Sequence, residues 1–270
     1  LLEGSVRRTG NVVRIRSELV NTRDGSTQWS QRYDRPYQDL FKLQDEITSA
    51  VAAELKARLR TPSGAVMQSD RPPSGSLDAY EAYLKGQQHQ ARDDEVDYGN
   101  AISDYERAIG IDPRYAQAFA ARSLAQKSLA TGYRGGGELE RLLVASRNSA
   151  DKAIELEPDN AMAHRALGAL HLGELDWVGA EAEFSRALTL APDDIAIQLG
   201  HSLILATLGR IEQAAAESRR TLASDALNGK AHYLFSRYAL ALGKGDEAER
   251  SAGVEADRMP ARDAVEVRDL

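Results

Sequence analysis

One spacing governs how this chain can fold. Prolines stand at 158, 192 and 260, so the first gap is 34 residues and the second is twice 34, with Ala226 in the intervening register. The flanking sequences recur too: NAISDYERAIGIDP ends at Pro113, SADKAIELEP at Pro158 and AEAEFSRALTLAP at Pro192. A fixed period of this length marks a repeat array, in which each unit is one hairpin that buries its apolar face by stacking on its neighbours. The step from Pro113 to Pro158 is 45 residues, or 34 plus an insertion of 11. That insertion is assigned to TGYRGGGEL, where three consecutive glycines disfavour a helix. Five units follow, at about 82–115, 116–160, 161–194, 195–228 and 229–262.

Within the clearest unit, 161–194, small and large residues alternate as two packed helices require. Leu167 and Gly168 stand at the packing positions of the first helix, and Ala180, Phe184 and Ala187 at those of the second. Gly and Ala let helices approach, Phe and Leu fill the space between hairpins, and Pro192 ends the second helix because it has no N–H to donate. This pattern resembles the tetratricopeptide repeat family. The departures are His164 and His171, where bulky aromatic residues are usual, and Ser218 and Ala252 in place of the large residue. Looser packing is expected in the fourth and fifth units. The resemblance implies a mainly α fold, a right-handed superhelix of about five helix-turn-helix repeats.

Residues 1–60 have another texture. Val13, Ile15, Ser17 and Leu19 alternate with Arg14, Arg16 and Glu18, the period-two mark of a half-buried strand. TGN (9–11) and RDGS (23–26) suit tight turns. Thr27, Trp29, Gln31 and Tyr33 share one face of a third strand. Leu40, Leu43, Ile47, Val51, Leu55 and Leu59 then fall at helical steps over 38–60. The expectation is a small α+β domain, a three-stranded antiparallel meander with one helix. The chain opens on Leu1, already in a strand, which reads as a fragment beginning inside a domain. TPSGAVMQSDRPPSGS (61–76) has a linker's composition, 77–262 holds the repeats, and 263–270 reads as a truncated tail.

The string LLEGSVRRTGNVVRIRSELVNTRDGSTQWSQRYDRPYQDLFKLQDEI resembles a domain of bacterial multidomain regulators related to the amino-terminal domain of TolB. DAYEAYLKG (78–86) resembles the start of the repeats that follow it there. In that family the domain follows a class III adenylate/guanylate cyclase domain or a winged-helix DNA-binding domain. The resemblance implies the interaction or sensory half of a bacterial signalling protein. It favours a regulated cyclase over a winged-helix regulator, and the cytoplasm over the periplasm. A purely structural oligomerisation scaffold is the remaining alternative.

Chemistry narrows the classes further. Apolar residues make up 42% of the 270, enough for a core, and no stretch of 18 of them would span a membrane. A net charge of −7 opposes attachment to nucleic acid, and the arginines of the first strands (7, 8, 14, 16 and 23) read as a solvated sheet face. With no cysteine there is no thiolate nucleophile or Cys-based zinc site. GYRGGGE (132–138) lacks the Gly-Lys-Ser/Thr ending of a phosphate loop. His164 and His171, seven apart, read as packing residues rather than ligands. No enzyme activity, cofactor or metal is expected.

The repeat resemblance instead implies a concave groove lined by the second, fifth, ninth and twelfth positions of the first helices. Here these give Gln117, Leu124 and Lys127, then Met162 and Arg165, then Leu199 and Leu203, then Lys230, Tyr233 and Arg237. An apolar centre flanked by cations suits a protein or peptide partner with acidic ends, and self-association is a further expected role. The chaperone-binding carboxylate clamp of the family is not reproduced.

Overall fold

The structure is a computed structural model that describes residues 1–58 and 69–256. It divides into two compact units, Leu1–Gly64 and Ala65–Leu270.

The first unit contains β1 (Leu2–Thr9), β2 (Val12–Val20) and β3 (Thr27–Pro36), then a 3-10 turn at Tyr37–Asp39 and α1 (Leu40–Arg58). The strands form an antiparallel meander in the order β1-β2-β3. Gly10, at φ +58°, makes the first tight turn possible. Period two decides which side chains meet: Ile15 stands opposite Tyr33, Ser17 opposite Gln31 and Leu19 opposite Trp29. Val13, Tyr33 and Leu43 form the buried centre, with Ile15, Tyr37 and Ile47 packed against it. On the other face Arg14 meets Asp34 at 2.6 Å, Arg32 meets the same carboxylate at 3.1 Å, and Arg16 meets Glu18 at 2.5 Å. Much of the basic face is thus internally paired.

The second unit is a stack of five helical hairpins among the described residues. They are α2 (Leu77–Gln90) with α3 (Glu95–Ile111), α4 (Ala116–Tyr133) with α5 (Gly136–Leu156) and α6 (Ala161–Gly173) with α7 (Trp177–Leu190). Then come α8 (Ile195–Thr207) with α9 (Ile211–Ser224) and α10 (Gly229–Ala241) with α11 (Gly245–Ala256). The 34-residue period is written into their caps. Asn160, Asp194 and Asn228 each accept a hydrogen bond from the backbone N–H of Ala163, Ile197 and Ala231. The turn inside four of the five hairpins reuses one left-handed position, taken by Asp93, Leu175, Gly209 and Gly243 at φ +59°, +62°, +78° and +72°.

Packing between helices depends on glycines that receive rings. A methyl group on Gly86 would overlap Tyr105, and one on Gly168 or Gly200 would overlap Phe184. Phe184 is therefore a wedge between α6 and α8, as close helix packing of small against large residues requires. In the next unit the sizes are exchanged. Ser218 takes the register of Phe184 and is fully buried, while Leu234 takes the register of Gly200. Leu234, Phe235 and Tyr238 fill that core together with Leu199 and Leu205. The looser packing expected from Ser218 is thus met by volume brought from the following helix.

Three other expectations change. The insertion is not a glycine loop: α4 has 18 residues and α5 has 21, against 13 and 14 in α6 and α7, so the extra residues lengthen helices. Gly135 is the N-cap of α5, and Gly136 and Gly137 lie in its first turn, where N–H groups have no helical partner anyway. The first hairpin begins at Leu77, five residues before the expected 82, because Ser76 caps it. Residues 69–76, grouped by composition with the linker, are fastened to the repeats. Ser74 N–H donates to Asp112 at 2.8 Å, and the Tyr80 and Tyr115 hydroxyls donate to Asp70. The rest of the expected linker and the tail at 263–270 fall largely or wholly outside the described residues.

Candidate binding face

The first helices of successive hairpins pack directly on one another, α2 on α4, α4 on α6, α6 on α8 and α8 on α10. Second helices pack chiefly on their own partner and on the next first helix. A layer whose members stand closer together is the inner side of a curved stack, so the first helices line the concave face.

The candidate residues separate by burial. Gln117 is buried and accepts a 2.7 Å hydrogen bond from the Asn160 amide, which makes it a tie between hairpins. Leu124 and Leu199 lie in the core, and Met162 packs beside it. Lys127, Arg165 and Tyr233 are half-buried, while Leu203, Lys230 and Arg237 are exposed. Arg237 stands over the Tyr233 ring, 5.5 Å from its centroid, and donates to the Tyr233 hydroxyl at 2.9 Å. The geometry leaves an accessible set of Lys127, Arg165, Leu203, Lys230, Tyr233 and Arg237.

The cations of this set differ from those elsewhere on the stack. Arg147 bonds both oxygens of Glu174 at 2.8 and 2.7 Å, Arg219 meets Glu247 at 2.6 Å, and Arg186 and Arg210 meet Asp159 and Glu181. Those pairs stitch neighbouring hairpins together. Lys127, Arg165 and Lys230 make no hydrogen bond or ion pair among the described residues. Burial lowers the proton affinity of Lys127, and the charge of Lys230 lowers it again. Burial likewise lowers that of Arg165, against an opposing influence from Asp194, Tyr83 and Tyr105. In each case desolvation of the cation sets the sign of the shift.

The histidines form junctions. His164 sets Nδ1 2.6 Å from Glu183 and Nε2 2.9 Å from the Pro158 carbonyl. Gln198 and His232 hold the same register, reaching the carbonyls of Pro192 at 2.7 Å and Ala226 at 3.1 Å. In each of the last three units one side chain thus captures a carbonyl left open past the preceding helix. These junctions were not among the sequence-based expectations, although the 34-residue spacing of 164, 198 and 232 carries their signal. His171 faces Asp176 at 2.8 Å. Among the described residues no three His, Cys, Asp or Glu side chains are grouped to hold a metal, and no helix is long and apolar enough to cross a membrane.

Comparison with solved structures places the second unit's architecture. TTC0263, a thermophilic TPR protein of Thermus thermophilus, is 17% identical with a TM-score of 0.55, covering 70% of this chain and 95% of that one. PilW, a type IV pilus biogenesis factor, is 19% identical at 0.55, covering 71% and 83%. The pilF protein of Pseudomonas aeruginosa is 16% identical at 0.52, covering 71% and 86%. The fold is the tetratricopeptide repeat. In sequence, the chain is 32% identical over 126 residues to "Putative adenylate cyclase 3" of Rhizobium meliloti (strain 1021), a match over 46% of this chain. The match spans 21% of that curated relative's length. No family model matches the chain.

Proposed function

We propose that the repeat stack is a non-catalytic protein-interaction module whose inner face takes an acidic segment of a protein partner, and that it regulates an adenylate or guanylate cyclase domain. The observation that carries the reading is that the side chains of Lys127, Arg165 and Lys230, on the inner layer, make no hydrogen bond or ion pair among the described residues. Holding the half-buried Lys127 and Arg165 without a direct ion pair is unfavourable in the free protein, and an acidic ligand removes part of that penalty. Leu203 and the Tyr233–Arg237 stack supply apolar and aromatic surface beside them. Extended or helical peptides are bound in this way, by pockets for side chains and polar groups that fix direction.

The cyclase part of the reading is supported by the partial likeness to the Rhizobium meliloti protein and by the resemblance of the first 60 residues. Binding in the groove would act by changing the orientation or association of the effector domains. The test is capture from a bacterial lysate by the chain and by its Arg165→Glu/Arg237→Glu variant. The reading expects a partner retained by the parent and lost by the variant. A partner indifferent to both substitutions would overturn the assignment to this face.

A further inference from the structure

The three side chains that capture a carbonyl differ in one chemical respect. His164, Gln198 and His232 each also face a second partner, on the second helix of the same hairpin. Gln198 meets both needs with one amide. Its nitrogen donates to the Pro192 carbonyl at 2.7 Å, and its oxygen accepts from the Thr221 hydroxyl at 2.8 Å. His232 can meet them as a neutral ring. Its Nε2 faces the Ala226 carbonyl at 3.1 Å, and its Nδ1 lies 2.8 Å from the Ser251 hydroxyl, a group that donates as well as accepts. The Ser251 hydrogen can turn to the ring or to the His232 carbonyl at 3.2 Å.

His164 has no such freedom. Its Nε2 lies 2.9 Å from the Pro158 carbonyl and its Nδ1 2.6 Å from the Glu183 carboxylate. A carbonyl only accepts, and so does an ionised carboxylate. A neutral imidazole has one N–H, so one of its nitrogens would turn a lone pair on an acceptor. The arrangement therefore holds one proton more than a neutral ring beside an ionised carboxylate. The two side chains are 13% and 27% exposed, which leaves little room for water to supply the missing hydrogen. Neighbouring charges have partners of their own. In the turn before α6, Glu157 accepts from the Asn160 amide at 2.8 Å and Asp159 pairs with Arg186 of α7. On α5, Arg147 and Lys152 pair with Glu174 and Glu155, and on α4 Arg122 donates to Ser149. Lys127 of α4 and Arg165 of α6 pair with nothing, and Asp194 caps α8. Among the described residues His164 is the one cation within ion-pair reach of Glu183.

We propose that His164 and Glu183 form a proton-operated latch that ties α6 to α7 and to the turn ahead of it, and that opens as pH rises. When the extra proton leaves, Nδ1 and the carboxylate repel, and the ring gives up one of its two partners. The sign follows from linkage. A folded pair that binds the proton more firmly than the unfolded chain adds stability that is full below the imidazole's unfolded pKa of about 6.5 and is lost as pH climbs. Histidine is the side chain suited to such a device near neutral pH. Because Gln198 and the His232–Ser251 pair need no extra proton, the loosening is local to the third hairpin. The latch is independent of what the inner face binds, so either reading can fail alone.

Nitrogen NMR of the chain labelled at histidine reads the rings directly. At about pH 7, where a free imidazole is mostly neutral, His164 should still carry hydrogen on both nitrogens and His232 should not. Amide hydrogen exchange over residues 157–165, corrected for the intrinsic effect of pH on exchange, reads the latch itself. Protection there should fall roughly threefold or more between about pH 6 and about pH 8.5. Glu183→Gln supplies an amide that can donate to Nδ1, and Glu183→Ser rebuilds the pair of the fifth unit. Both variants should keep the same protection across that range. A bare nitrogen on His164 at neutral pH would overturn the proposal. So would protection in the parent that ignores pH, or variants that retain the parent's pH dependence.

Discussion

Lys127 on α4 and Lys230 on α10 belong to the second and fifth hairpins, yet the charge of Lys230 reaches Lys127 and disfavours its protonated form. Burial already disfavours the charge on Lys127, and Lys230 adds to that effect. Lys230→Glu should therefore raise the unfolding free energy by about 0.5 kcal/mol in urea titrations while weakening acidic ligands. The pH dependence has a definite sign. A lysine with a folded pKa below its unfolded value of about 10.4 binds fewer protons when folded, so its contribution to stability rises as pH climbs through the folded pKa. An acidic ligand reverses the shift. Calorimetry near pH 9, in buffers of different ionisation enthalpy, should show proton uptake on binding, and less of it in Lys127→Met.

Leu175 holds a left-handed conformation where the next two units have Gly209 and Gly243. Its side chain is 68% exposed and gains little from packing. Leu175→Gly should stabilise the chain by about 1 kcal/mol, the cost of that region for a residue with a Cβ. Gly209→Leu should destabilise by a similar amount. Equal midpoints for parent and Leu175→Gly in urea would contradict the strain.

Phe184 is held between Gly168 and Gly200. Gly200→Ala forces the buried ring to move and should destabilise by about 1–3 kcal/mol. Combined with Phe184→Leu, the alanine should cost much less than it does alone, a coupling that a double-mutant cycle reads directly. Additive effects would mean the ring is not the obstacle.

His164, Gln198 and His232 reach equivalent carbonyls from equivalent positions. His164→Gln should therefore be tolerated, because Gln198 does the same work one unit later. His164→Leu, which removes the donor, should cost about 1 kcal/mol in thermal or urea unfolding. Equal losses in the two variants would show that the imidazole, not the carbonyl bond, holds the junction.

Much of the architecture was legible because it is periodic. Val13, Ile15 and Leu19 announced a strand by alternation, and Gly168, Phe184 and Pro192 announced a hairpin by spacing. What stayed hidden was compensation between units. Ser218 looks like a lost packing residue until Leu234, in the register of Gly200, is seen to bring the volume. The glycines at 135–137 look like a loop until they fall at a helix start, the place where helical hydrogen bonding asks least of them. On the candidate face, register picks positions along the first helices but does not separate Gln117 from Lys127. One is claimed by Asn160 and the other is left without a partner, and that difference depends on contacts between hairpins.

The most direct test is a titration of the chain with two fluorescent peptides of matched length and apolar content, one rich in Glu and Asp, the other in Lys. Binding of the acidic peptide alone is predicted, weakened by salt and by Lys127→Glu, Arg165→Glu or Lys230→Glu. Equal affinity for both peptides, or acidic binding that survives all three substitutions, would contradict an anion-seeking inner face.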